Sequence, residues 1–123
     1  MLSQKVLVCH ENKCVEATAS FTREIPHFLI DEDFVLRNFG NYERYEKPRK
    51  INVNGRIIEI LGNFEVYLKM NDCELFPTLA RVVKGLKFDV IVGNSYMHEN
   101  DIVIDERQKR AYPRTCPPVL QLI

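Results

Sequence analysis

The sequence predicts one small, mainly β domain, and three observations carry that expectation. Short runs of β-branched and aromatic residues recur at close spacing, with Gly, Asn, Asp or Pro between them. No segment sustains the apolar period of an amphipathic helix, and neither repeats nor low-complexity stretches are present. Residues 87–110, KFDVIVGNSYMHENDIVIDERQKR, hold two short, almost wholly apolar runs bounded by turn residues. Such runs read as strands buried on both faces, and the whole pattern is that of a small barrel or sandwich.

Composition sets the limits. With 123 residues, 46% of them hydrophobic, the chain suits a single domain over residues 1–123 with a real but modest core. Lys+Arg and Asp+Glu are equal at 17 each, so the basic excess of a general nucleic-acid binder or membrane-surface protein is missing. No apolar run reaches bilayer-spanning length and no signal-like stretch opens the sequence. The expectation is a soluble protein, cytoplasmic or otherwise intracellular, with no membrane and no nucleic-acid partner. In that setting Cys9, Cys14, Cys73 and Cys116 read as free thiols, with a Cys9–Cys14 disulfide across hairpin ends as the alternative. None forms a C-x-x-C pair. Cys9, His10 and Cys14 lack an evident fourth ligand, so no metal and no cofactor are expected.

In chain order, residues 5–8 and 15–21 flank a polar turn at 10–13 and predict an N-terminal hairpin over about 5–21. Pro26 punctuates, and residues 27–30 (HFLI) form a third strand running into Asp31-Glu32-Asp33. Residues 34–50 have no clean period and read as a loop with one helical turn near 34–38. The cluster Arg44, Lys47, Arg49 and Lys50 beside Tyr42 and Tyr45 reads as a solvated loop face, diluted by Glu43 and Glu46, ahead of an RNA contact. Asn54-Gly55 between residues 51–53 and 56–60 is the strongest turn signal in the chain, since both tolerate positive φ. Residues 61–63 (LGN) predict a break or bulge before a strand over 64–70. Residues 73–83 predict one more strand, with Pro77 implying an edge or bulge. Residues 88–92 and 102–104 are the two buried strands, joined by a helical turn over 95–100. The deep core is expected at Val90, Ile91, Val92, Val103 and Ile104. A charged tail follows, then Pro117-Pro118 and a short apolar end at 119–123.

The order Ile91-Val92-Gly93, a short helix over residues 95–98, then Val103-Ile104-Asp105 resembles the C-terminal signature of the retropepsin-like (retroviral-type) aspartic proteases. Leu29-Ile30-Asp31 is similar to that family's apolar-apolar-Asp, and Asn54-Gly55 to the tip of its flap hairpin, over roughly residues 20–110. The resemblance implies a small closed β-barrel of the acid-protease type with one short helix, a core over about 22–112, and a homodimer with one catalytic aspartate per subunit. Asp31 is then the candidate catalytic residue. Asn54 and Gly55 form a short flap tip over the substrate, and Glu32, Asp33 and Gly93 support the active-site loop. In such a dyad two close carboxylates share a proton, one activating water while the other polarises the scissile carbonyl.

The motif departs from the family at two positions. Glu32 stands where the family has Thr or Ser, and Asp33 where it has Gly. The hydroxyl that locks two active-site loops together is lost, and six carboxylates would crowd one dimer axis. The sequence therefore predicts a catalytically degenerate protease scaffold that dimerises and binds a peptide or protein. The alternatives are an active homodimeric endopeptidase using Asp31, and a β interaction domain unrelated to proteases. His10, His27 and His98 are the only histidines, and none forms a nucleophilic pair legible in sequence.

Overall fold

The computed structural model describes residues 2–118. Strands β1 (Leu2–His10) and β2 (Lys13–Phe21) form an antiparallel hairpin in unbroken register, from Leu2 opposite Phe21 to His10 opposite Lys13. Val6, Val8, Ala17, Ala19 and Phe21 turn to the core. β3 (Leu29–Asp31) leads directly into helix α1 (Glu32–Phe39). A long hairpin follows, β4 (Glu43–Val53) and β5 (Arg56–Met70), then β6 (Cys73–Glu74) and β7 (Thr78–Val83). β8 (Val90–Val92), helix α2 (Asn94–Glu99), β9 (Ile102–Asp105) and β10 (Arg110–Pro113) complete the described chain.

The strands hydrogen-bond in a closed ring, β1-β2-β8-β3-β7-β5, with β5 returning to β1 at residues 7–9. β4 extends outward from β5, and β9 and β10 form a separate ribbon. Closure removes sheet edges that would otherwise expose unpaired amides. Gln4 ties the ribbon to the ring: its Nε2 donates to the Ala111 carbonyl at 3.0 Å while its Oε1 accepts from the Ala111 amide at 2.7 Å.

Several expectations are corrected. Residues 34–50 are not a loop with one turn but an eight-residue helix and an eleven-residue strand. The helix closes at Gly40, whose φ of 88° lets its amide reach the carbonyls of Val35 and Leu36. β4 escapes sequence detection because it is polar on both faces, an edge strand whose register shifts between Arg44 and Arg49, around Pro48. The described chain thus has two helices, not one. β5 runs unbroken through Leu61–Asn63: a Cβ on Gly62 would lie 2.1 Å from the Glu43 carbonyl oxygen, so the glycine serves close approach to β4. The single strand expected over 73–83 is two, split around Pro77, and the charged tail after Asp105 returns as β10. Asp105 Oδ1 closes that turn by accepting from the Arg107 and Gln108 amides. The apolar end at 119–123 lies outside the described residues.

All four cysteines are paired, Cys9 with Cys14 and Cys73 with Cys116, which overturns the free-thiol expectation. The first pair sits directly across the β1–β2 ladder with Cα atoms 4.0 Å apart. The second joins β6 to a segment 43 residues later, a proximity that only the closed fold creates.

The main core fills the ring with residues such as Val8, Ile30, Val66, Leu68, Val90 and Val92. A second, smaller cluster forms around Ile25, Leu29, Ile60 and Val83. Val90 and Val92 are fully buried as expected, but Ile91, Val103 and Ile104 are only half-buried. Strand alternation is the reason: Val90 and Val92 share the inner face, Ile91 faces outward into the second cluster, and in β9 it is Ile102 that is buried.

Candidate functional site

Asp31 ends β3 and begins α1. Its backbone is extended at φ −73°, ψ 131°, and its side chain caps the helix, Oδ2 accepting from the Phe34 amide at 3.4 Å. The other oxygen reaches across to the β7–β8 loop, accepting from the amides of Gly85 at 3.1 Å and Leu86 at 3.0 Å. Three amides of the same chain therefore hold this carboxylate. The capping role was legible in principle, because an Asp followed by an acidic first turn is a helix-start signal.

The next two acids point elsewhere. Glu32, with its side chain only 17% exposed, accepts from the Tyr42 hydroxyl at 2.6 Å and pairs with Arg44 at 3.3 Å. Burial pushes the Tyr42 phenol up to about 12, the neighbouring Glu32 adds to the rise, and Arg44 opposes it. Asp33 is exposed and pairs with Arg37 one turn on at 2.8 Å. Tyr42 and Arg44 went unnoticed as partners because nothing in their spacing links them to Glu32.

Gly93 lies against the segment that enters β3. A Cβ there would sit 2.2 Å from the His27 carbonyl oxygen and 2.7 Å from that of Ile25. Just beyond it, the Asn94 amide donates to the Ile25 carbonyl at 2.7 Å. Only a residue without a side chain admits this approach.

Asn54 and Gly55 form the tip of the β4–β5 hairpin, both at positive φ (51° and 82°), with the Gly55 amide bound to Asn52 Oδ1 at 2.8 Å. The hairpin that the resemblance implies to be a short flap is long, since β4 and β5 run for 11 and 15 residues. Its distal half joins the second cluster: Ile51, Val53, Ile58 and Ile60 pack with Leu29, Val83, Leu86 and Ile91. The structure thus packs the β4–β5 hairpin on the outer face of the strands that carry and flank Asp31. Among the described residues no group of three His, Cys, Asp or Glu side chains is placed to hold a metal ion, and no helix is long and apolar enough to cross a membrane.

No family model matches the chain, and no curated protein matches its sequence. Among solved structures it is similar to the crystal structure of the retroviral protease-like domain of Ddi1 from Leishmania major. That likeness has a TM-score of 0.67 at 14% identity and covers 93% of this chain and 90% of that one. The chain therefore has a mainly β, retroviral protease-like fold.

Proposed function

We propose that the chain is a degenerate retropepsin-like scaffold, a homodimer that binds a peptide or protein segment beneath the β4–β5 flap and does not cleave it. The observation that carries this reading is the Asp31 carboxylate itself. A catalytic dyad needs two carboxylates that face each other and share a proton. Here Oδ1 is held by Gly85 and Leu86 and Oδ2 by Phe34, so the group is anchored as a helix cap within its own chain. The dimer is supported by the same geometry. Glu32 and Asp33 each have an arginine partner in their own chain, which offsets the repulsion that six carboxylates near one axis would bring. Peptide binding is supported by the half-buried apolar side chains under the flap, a surface that an extended strand can line. The cysteine pairing favours an oxidising compartment over the cytoplasm.

The competing reading is an active aspartic endopeptidase, favoured by one observation: Asp31 ends β3 beneath a well-formed flap. Digestion of an unbiased peptide library from about pH 3 to 7, with wild type and Asp31→Asn side by side, separates the two. The expected result is no cleavage by either, with a dimer in solution. Robust cleavage by wild type that disappears in Asp31→Asn overturns the scaffold reading. A monomer at micromolar concentration removes the dimer from it.

A further inference from the structure

The charge around the flap cluster is uneven, although the chain as a whole is neutral. Residues 43–59 carry Arg44, Lys47, Arg49, Lys50 and Arg56 against Glu43, Glu46 and Glu59, and residues 81–87 carry Arg81, Lys84 and Lys87 with no acid. Within this set three arginines have no carboxylate partner among the described residues, Arg49, Arg56 and Arg81, and two of them lie together. Arg44 in the same stretch is paired with Glu32, whereas Arg56 lies next to the hairpin turn, away from the Tyr45 and Asn63 contacts described next.

Arg49 and Arg81 are both tied to one edge of the apolar cluster. The Arg49 guanidinium lies over the Tyr45 ring at 4.2 Å, and Tyr45 packs on the cluster. The Tyr45 hydroxyl donates to Asn63 Oδ1 at 2.5 Å. Asn63 is the partner of Arg81 across the β5–β7 ladder, and on its other side Arg81 pairs with Leu29 of the cluster. His27 adds to this edge and is held below its ordinary pKa, first by burial and then by the Arg81 charge. The hydrogen-bonded Tyr45–Asn63 pair therefore lies between Arg49, which stacks on Tyr45, and Arg81, which stands opposite Asn63 in the ladder.

We propose that this edge recognises carboxylates: the flap cluster takes an extended acidic peptide segment, its apolar residues on Ile51, Val53 and Ile91 and an Asp or Glu side chain between Arg49 and Arg81. Alternation in an extended strand sends every second side chain to the apolar floor and the others to the charged rim. Guanidinium groups suit the planar carboxylate in two-point contact. RNA fits this edge less well. The Tyr42 and Tyr45 faces on which bases would stack are already covered by Arg44 and Arg49.

The inference rests on the peptide-binding reading above, and its test separates the two. The probe is a random twelve-residue phage-displayed peptide library panned on the full chain, with a U-rich RNA oligonucleotide titrated alongside. Enriched clones should alternate apolar residues with Asp or Glu, and binding should weaken with salt. Arg49→Gln and Arg81→Gln should each weaken the best clone about tenfold, as should Glu→Gln in the peptide. Arg49 is exposed, so Arg49→Gln keeps its fold even where Arg81→Gln does not, and circular dichroism checks both. Enriched apolar peptides without acids, indifferent to Arg49→Gln, would overturn the acidic specificity and leave peptide binding standing. No enrichment at all overturns both. RNA binding that is tighter than any peptide and lost in the same variants overturns the inference in favour of nucleic acid.

Discussion

The Asp31 carboxylate accepts a hydrogen bond from the Leu86 amide at 3.0 Å, across 55 residues of sequence. This contact joins the end of β3 to the β7–β8 loop and places Leu86 on the apolar cluster under the flap. The residue that the motif marks as catalytic is thus hydrogen-bonded to three amides of its own chain.

Replacing Asp31 therefore changes stability before anything else. Asp31→Ala removes a helix cap and two charge-assisted hydrogen bonds, and should cost about 2–3 kcal/mol in urea unfolding. Asp31→Asn keeps one accepting oxygen, so either the cap or the Gly85 and Leu86 contacts are lost, and it should cost about 1–2 kcal/mol, less than Asp31→Ala. Equal stability of wild type and Asp31→Ala would show that the anchor carries no weight.

Two glycines should respond differently to the same substitution. Gly93→Ala drives a methyl into the backbone of residues 25–27 and should destabilise by about 3 kcal/mol, because carbonyls cannot swing away as a side-chain tip can. Gly85→Ala meets open space and bears only the strain of φ 80°, about 1 kcal/mol. Thermal melting of the two variants gives the order directly.

The two disulfides should contribute unequally. On the loop-entropy account, separations of 43 and 5 residues correspond to about 4 and 2 kcal/mol. The Cys73→Ser, Cys116→Ser double variant should melt lower than the Cys9→Ser, Cys14→Ser pair. Thiol titration of the unreduced protein in denaturant should find no reactive cysteine.

Tyr42 makes stability depend on alkaline pH. Burial, followed by the Glu32 hydrogen bond, raises its folded pKa to about 12 from an ordinary value of 10.0. Between these values the folded chain holds a proton that the unfolded chain has released, so stability falls as pH rises from about 10 through about 12. Absorbance titration of wild type minus Tyr42→Phe should show this late phenol, and Glu32→Gln should move it downward. An ordinary titration near 10 would mean that Tyr42 is not buried against Glu32.

The sequence by itself determined what depends on neighbours in the chain. Positive φ at Asn54 and Gly55 sets the flap turn, and β-branched residues at 90–92 set a buried strand. A side-chain-free position at Gly93 admits the backbone that enters β3. These are matters of local dihedral preference and period, so the retroviral protease-like fold was legible from their order. Tertiary structure alone decided the rest. β4 is a strand because β5 offers it a ladder, not because residues 43–53 prefer one. Cys73 meets Cys116 because the ring and its ribbon close around them, and Ile91 faces the flap while Val90 and Val92 face the core. The donors around Asp31 were decided in the same way. Its partners at Gly85 and Leu86 are brought to it only when β3 pairs with β7, and a carboxylate's hydrogen bonding is set by which donors the fold places within reach of it.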